Sequence, residues 1–397
     1  MNTNGLKELY ISLLSLSVFR KLYDDSVIAA LCEFLSTEDD VFDRVSAYSN
    51  FVSEVFSCEK TFASHLQSVV NDDENVYLRT VGAGKTPSPA LEEAVKAELD
   101  ILQRISEITP QMLKEHIGYS GYLPDFDVEK VDIPAQYRMR CDKVGVYGYG
   151  IYSKYRMFYI DGDHKIVPVR NPDRTRLSSL VDYKREQKII LDNTLALLEG
   201  KPAANILLTG DAGTGKSSTV KAVVNELYSK GLRILEVRKE QLHALPAVLD
   251  ELSVNPLKFI IFIDDLSFQK DDDNFSALKA ILEGSVSAKS RNVAIYATSN
   301  RRHLVKESFS ARDGDDVHRN DTLQEILSLS ARFGIQVSFY KPDKQTYLHI
   351  VSYLAEEKGI DLPEEELFIL AERFALEKGG RSARAAKQFI DNLLTNM

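Results

Sequence analysis

The sequence predicts an α/β protein whose second half is a five-stranded parallel sheet followed by a helical C-terminal segment. Two observations predict this. First, the near-continuous apolar runs NILLT (205–209), LRILEV (232–237), KFIIFID (258–264), VAIYATS (293–299) and IQVSFY (335–340) alternate with helix-period segments. Strands apolar on both sides belong in a sheet buried on both faces, and intervening helices make such a sheet parallel. Second, after Pro342 the chain returns to helical periodicity in KQTYLHIVSYLAEEKG, PEEELFILAERFALEKG and GRSARAAKQFIDNLL.

The preceding segments read differently. Residues 1–116 are helical in pattern: LKELYISLLSLSVFRKLY and VIAALCEFL carry apolar residues at three- and four-residue spacing, and proline is absent until Pro87. A helix is expected from about Pro89. The GAGKT at Gly82–Thr86 lacks the first glycine of a phosphate loop and has no strand before it, so it reads as an ordinary loop. Residues 117–177 are rich in Tyr, Gly and β-branched side chains, and Asp-Gly inside YRMFYIDGDHKIVPV signals a hairpin. A small β-rich subdomain is expected there, with tyrosines packing across strands and NPDRTRLSSL as linker. The domains so expected are 1–116, 117–177, 178–341 and 342–397.

Composition narrows the function classes. At ~100–200 residues per domain, 397 residues suggest two or three domains. The net charge of -10 disfavours a broad nucleic-acid face. Three scattered cysteines, Cys32, Cys58 and Cys141, suit neither a disulfide framework nor a zinc cluster. No apolar run approaches the ~18 residues of a membrane span, and MNTNGLKELY is no signal peptide, so a cytoplasmic protein is expected.

GDAGTGKS, Gly210–Ser217, satisfies G-x-x-x-x-G-K-[ST] between a strand and a helix. Such glycines turn backbone N–H groups inward around phosphates, and the helix N-terminus adds its dipole. The expected ligand is ATP, cradled by Gly210, Asp211, Ala212, Gly213, Thr214, Gly215, Lys216, Ser217 and Ser218. Lys216 would reach the β and γ phosphates, and the Ser217 hydroxyl would ligate Mg²⁺. The strand FIIFID ends on Asp264 and Asp265. A carboxylate ending a neighbouring strand holds the metal, which is Asp264; Asp265 is then placed to polarise the attacking water, the alternative being a turn cap. Asn300, ending VAIYATSN, would hold that water against the γ-phosphate, the alternative being a turn residue. The acidic loop at Asp271, Asp272 and Asp273 reads as solvated, with Asp273 or Asn274 capping the next helix.

Together these features resemble the AAA+ ATPases over about residues 178–397. The resemblance makes Asn300 a sensor residue. It makes Arg332, in LSLSARFG, a finger for a neighbouring subunit's ATP, with Arg319 as the weaker alternative and a surface ion pair as the plain reading of Arg332. It makes the helical tail, 342–397, a lid whose second sensor is Arg384, ahead of Arg381, and places Tyr183 in the segment that packs around adenine. The stretches KEQLHALPAVLDEL, IIFIDDLSF, LKAILEG, YATSNRRHLVKESF and GGRSAR are similar to a bacterial AAA+ ATP-binding family catalogued only as a domain of unknown function. Two departures stand out. RKEQLHALPAV offers no aromatic–glycine gripping loop, and Asp265 stands where Glu is usual, as in the initiator and helicase-loader branches.

The resemblance implies an ATPase, working as a homo-oligomeric ring or filament, that remodels or positions a partner, a protein recruited through residues 1–170. A nucleotide-dependent switch or loader with slow hydrolysis is the alternative, with DNA association the less favoured variant. The short basic stretches SNRRHLVK and RSARAAK are its basis.

Overall fold

The computed structural model describes residues 3–38, 40–266, 273–283, 291–300 and 331–396. The chain divides into two units, Met1–Lys154 and Tyr155–Met397.

The first unit is helical throughout. Its longer helices are Thr3–Leu14, Ser26–Ser36, Val41–Ser57, Phe62–Asp72, Pro89–Ser106 and Ile133–Asp142. Short polar side chains start them: Asp25, Asp40, Thr61, Ser88 and Asp132 each accept first-turn N–H groups. Phe19, Phe34, Phe51, Phe62, Leu66 and Leu102 fill one core. Glu98 is buried there and replaces missing backbone acceptors in the turn after the first helix. It accepts from the N–H and hydroxyl of Ser17 at 2.8 and 2.6 Å, and from the N–H groups of Val18 and Phe19 at 3.0 Å. Burial pushes the Cys32 thiol to about 11 and Cys141 to about 12, so both stay as thiols at neutral pH.

The expected β-rich subdomain over 117–177 is corrected. Residues 117–154 hold the helix Ile133–Asp142 and two short helical turns, without a strand. Tyr137, Val144, Tyr149 and Tyr152 are buried, so this unit's aromatic residues pack as helical core and not across strands. The hairpin does form, as β1 (Met157–Ile160) and β2 (Ile166–Pro168), but it belongs to the large sheet of the second unit. Asp161 Oδ1 accepts the N–H groups of Asp163 and Lys165, and the left-handed position falls on His164, not on Gly162.

The other strands lie where the apolar runs put them: β3 (Ile206–Gly210), β4 (Leu232–Glu236), β5 (Lys258–Ile263), β6 (Val293–Ser299) and β7 (Ile335–Phe339). The sheet is therefore seven-stranded, not five, in the order β2-β1-β4-β5-β6-β3-β7, parallel except for the β1–β2 pair. Ile206, Leu208, Ile260, Phe262 and Tyr296 pack with Val220 and Val223 of the helix Lys216–Leu227. The residues between them point the other way and are buried as well: Leu207, Leu235, Ile261 and Ile263 are at most 1% exposed. Register sets the functional edge. Thr209 lies opposite Ser299, Gly210 opposite Phe339, and Ile263 opposite Ala297, so β3, β5 and β6 end side by side.

Three helices, Lys344–Glu357, Glu364–Glu377 and Ala383–Asn396, complete the second unit around Tyr347, Ile350, Val351, Ala371, Ala386 and Phe389. Among the described residues, no helix is long and apolar enough to cross a membrane.

Candidate functional site

The loop between β3 and the helix Lys216–Leu227 turns on three glycines at positive φ: Gly210 (133°), Gly213 (79°) and Gly215 (90°). A Cβ on Gly210 would lie 1.8 Å from the Phe339 carbonyl oxygen, so only glycine fits against β7. Gly215 is the helix N-cap, and Thr219 Oγ1 donates back to its carbonyl at 2.8 Å. Thr214 Oγ1 donates to the Asp211 carbonyl at 2.9 Å, closing the loop on itself. The helix start that follows carries first-turn N–H groups without intrahelical acceptors, an anion-binding feature.

Lys216 is 5% exposed. Its Nζ donates to the carbonyls of Gly210 and Asp211 at 2.9 and 2.8 Å and to Asn300 Oδ1 at 3.0 Å. Burial lowers its pKa, with Asp211, Asp264 and Asp265 opposing. A buried ammonium bonded mainly to neutral carbonyls is a strong seat for an anion, which would both pair the charge and replace those acceptors.

The strand ends complete the cluster. Ser217 Oγ donates to Asp264 Oδ1 at 2.6 Å. Asn300 Nδ2 donates to Asp265 Oδ1 at 2.7 Å, so one amide links Asp265 to Lys216. Thr298, which the sequence reading passed over, donates its hydroxyl to Asp264 Oδ1 at 2.5 Å and accepts the Asp265 N–H at 2.9 Å. Asp265 itself adopts a left-handed backbone, φ 52°. The only sequence signal for Thr298 is its place two residues before Asn300, in a strand of otherwise ordinary composition.

These residues face a cavity of about 690 Å³. Ala212, Gly213, Thr214, Gly215, Lys216, Ser217 and Ser218 line it beside Asp264, Asp265, Thr298 and Asn300, while Gly210 and Asp211 support the loop from behind. Leu180 ends the segment expected as a linker, Val181 and Tyr183 come from the segment expected around adenine, and Ile350, Leu354, Arg384, Lys387 and Ile390 from the C-terminal helices. Tyr183 sits at φ 55° immediately before the helix Lys184–Leu198. Its ring packs on Phe339 at 5.2 Å, and its hydroxyl, raised to about 12 by burial, donates to the Tyr340 carbonyl at 2.6 Å. The nearby turn is held by Gln187, which donates to the carbonyls of Leu180 and Asp182.

The arginines separate. Arg384 lines the cavity, and its N–H donates to the Gly213 carbonyl at 3.2 Å. Arg381 instead forks onto Glu372 at 2.8 and 2.6 Å. Arg332 pairs with Glu283 and is not among the cavity's lining residues. Arg319, Asp271 and Asp272 lie outside the described residues, as do the stretch 301–306 and the side chain of Asp273, where the following helix begins.

The family model described as "Protein of unknown function (DUF815)" matches residues 153–397. No curated protein is similar enough in sequence to match. Solved structures similar in part include the Thermotoga maritima RuvB Holliday junction branch migration motor, at 16% identity and TM-score 0.35, covering 53% of this chain and 61% of that one. A point variant of Thermotoga maritima RuvB follows at 15% and 0.36, with the same coverage. The chain thus spans less than two thirds of the length of either.

Proposed function

The chain belongs to a family described only as of unknown function, so its activity must be read from the site, and we propose that it is an AAA+ ATPase. On this reading it binds ATP with Mg²⁺ and hydrolyses it at the subunit interfaces of an oligomer, to remodel or position a partner protein. One observation carries the reading: a glycine-turned loop, a buried lysine, two strand-end carboxylates and a strand-end amide bond to one another at the edge of a single cavity. The apolar side chains of Leu180, Val181, Ile350, Leu354 and Ile390 in the same cavity suit a flat base.

Each residue then has a task. Lys216 exchanges its loop carbonyls for β- and γ-phosphate oxygens. The Ser217 hydroxyl and Asp264 carboxylate, 2.6 Å apart, form an all-oxygen donor pair that fits a hard divalent cation. Mg²⁺ held there supplies charge neutralisation on the phosphates. Asp265 orients the attacking water and takes its proton. Asn300, bonded to both Lys216 and Asp265, keeps the water-activating carboxylate in register with the γ-phosphate seat. Arg384 contacts the phosphates from the C-terminal helices, and Arg332 leaves Glu283 to act on a neighbour's ATP.

The alternative reading, an assembly switch with slow hydrolysis, draws on a specific observation. After β4, where a threading motor carries its gripping loop, the 3₁₀ turn Lys239–Ala244 is tied back to the hairpin. Gln241 Nε2 donates to the carbonyls of Ile160 and Asp161 at 2.9 and 3.3 Å. Both readings need the nucleotide, so equilibrium binding of ATP is the shared test. Wild type is expected to bind ATP in the presence of Mg²⁺, and Lys216→Ala to lose at least about tenfold in affinity, on the order of one buried charge-assisted hydrogen bond. Equal affinity in both proteins would remove Lys216 from the phosphate seat.

A further inference from the structure

We infer that Thr298 is a positioning residue for both carboxylates, the hydroxyl that lets an aspartate at 265 serve where a longer side chain is usual. This rests on the ATPase reading above. Thr298 is 2% exposed, so its hydroxyl has no bulk water to turn to. The directions of its bonds are fixed. A backbone N–H only donates, so the hydroxyl accepts from Asp265, and its single proton goes to Asp264 Oδ1. The Thr298 carbonyl also accepts the Leu266 N–H at 2.7 Å. Thr298 is therefore bonded to Asp264, Asp265 and Leu266 in succession.

That grip has a consequence at Asp265. Its φ of 52° is left-handed, a conformation uncommon for residues with a side chain that persists only where surroundings hold it. The bond from its N–H to Thr298 Oγ1 is one such tie. With the backbone turned this way, the short carboxylate meets the Asn300 amide at 2.7 Å. The same hydroxyl shares Asp264 Oδ1 with Ser217, setting the two carboxylates relative to each other. Valine has threonine's shape but neither bond. In Thr298→Val the Asp265 N–H loses its acceptor and Asp264 loses one donor, while Lys216 and the glycine loop keep theirs.

The test compares ATP binding at equilibrium with phosphate release in wild type, Thr298→Val and Thr298→Ser, and repeats Thr298→Val in an Asp265→Asn background. Thr298→Val is expected to lower kcat about 10- to 100-fold, the usual effect of removing a partner that orients a ligating group, with ATP affinity unchanged. Thr298→Ser keeps the hydroxyl and should restore turnover. In the Asp265→Asn background, Thr298→Val should cost markedly less than in wild type, because only its hold on Asp264 is then left to lose. Wild-type kcat in Thr298→Val overturns the inference, as does a serine variant as slow as valine, or full additivity with Asp265→Asn. Should valine not fold, Thr298→Ala takes its place, and failure of both to fold would overturn positioning in favour of a purely structural role. A wild type that neither binds nor hydrolyses ATP would instead overturn the ATPase reading, and this inference with it.

Discussion

Gly210 shows how much of the site is set by single residues. Its φ of 133° and its approach to the Phe339 carbonyl leave no room for a side chain. Gly210→Ala should add about 1–3 kcal/mol of backbone strain, beyond the collision with β7. A lowered thermal midpoint together with weakened ATP binding is the expected outcome, and an unchanged midpoint would contradict the loop geometry. Such residues were legible beforehand because the motif names them: Gly210, Lys216 and Ser217 follow from spacing, and Asp264 and Asn300 from being polar at the ends of apolar strands. Thr298 was not legible. A threonine in VAIYATSN is what any strand contains, and its importance comes from the β5–β6 register, which places it opposite Asp264. The left-handed turn at Asp265 has no sequence signal either, since aspartate occupies many conformations.

At the scale of elements, the C-terminal helices carry an internal fork. Arg381 holds the Glu372 carboxyl below the usual glutamate range through its hydrogen bonds, against the opposing effect of burial. A carboxyl whose folded value is depressed stabilises the fold fully above the unfolded value, near 4.5 here, and loses that contribution as pH falls through the lower folded value. Thermal midpoints of the full chain should therefore drop as pH falls through and below about 4.5, and drop less steeply in Glu372→Gln. Identical acid slopes would show the fork to contribute nothing. This pair also sets apart the two arginines the resemblance ranked, since Arg381 is engaged with Glu372 while Arg384 lines the cavity. The strands β3 to β7 were read correctly because continuous apolar runs have one stable home, a sheet covered on both faces. The hairpin was legible locally from Asp-Gly, but its pairing with β4 was not, because Met157 and Ile234 meet across a long stretch of chain. Residues 117–154 misled because Tyr and Val favour strands on average. Tertiary packing of Tyr137 against Phe19, ring centroids 5.2 Å apart, outweighs that preference.

At the scale of the whole molecule, the helical unit Met1–Lys154 lies almost entirely outside the family match, which begins at residue 153. Under the proposed function that separation would divide a nucleotide engine from a recruitment unit, and the partner is the least legible feature of the sequence because the site's motifs carry no information about residues outside them. The proposed oligomeric action joins the roles assigned to Arg332 and Asp265. An arginine serving a neighbour's ATP makes specific activity rise with protein concentration, while the water-activating carboxylate is needed at every concentration. The most direct measurement is phosphate release from ATP and Mg²⁺, per mole of protein, across a range of protein concentrations for wild type and Asp265→Ala. The account predicts turnover in wild type that rises with concentration and a variant that binds ATP yet releases about a hundredfold less phosphate, as expected for loss of a general base. Equal rates in the two proteins, at any concentration, would contradict it.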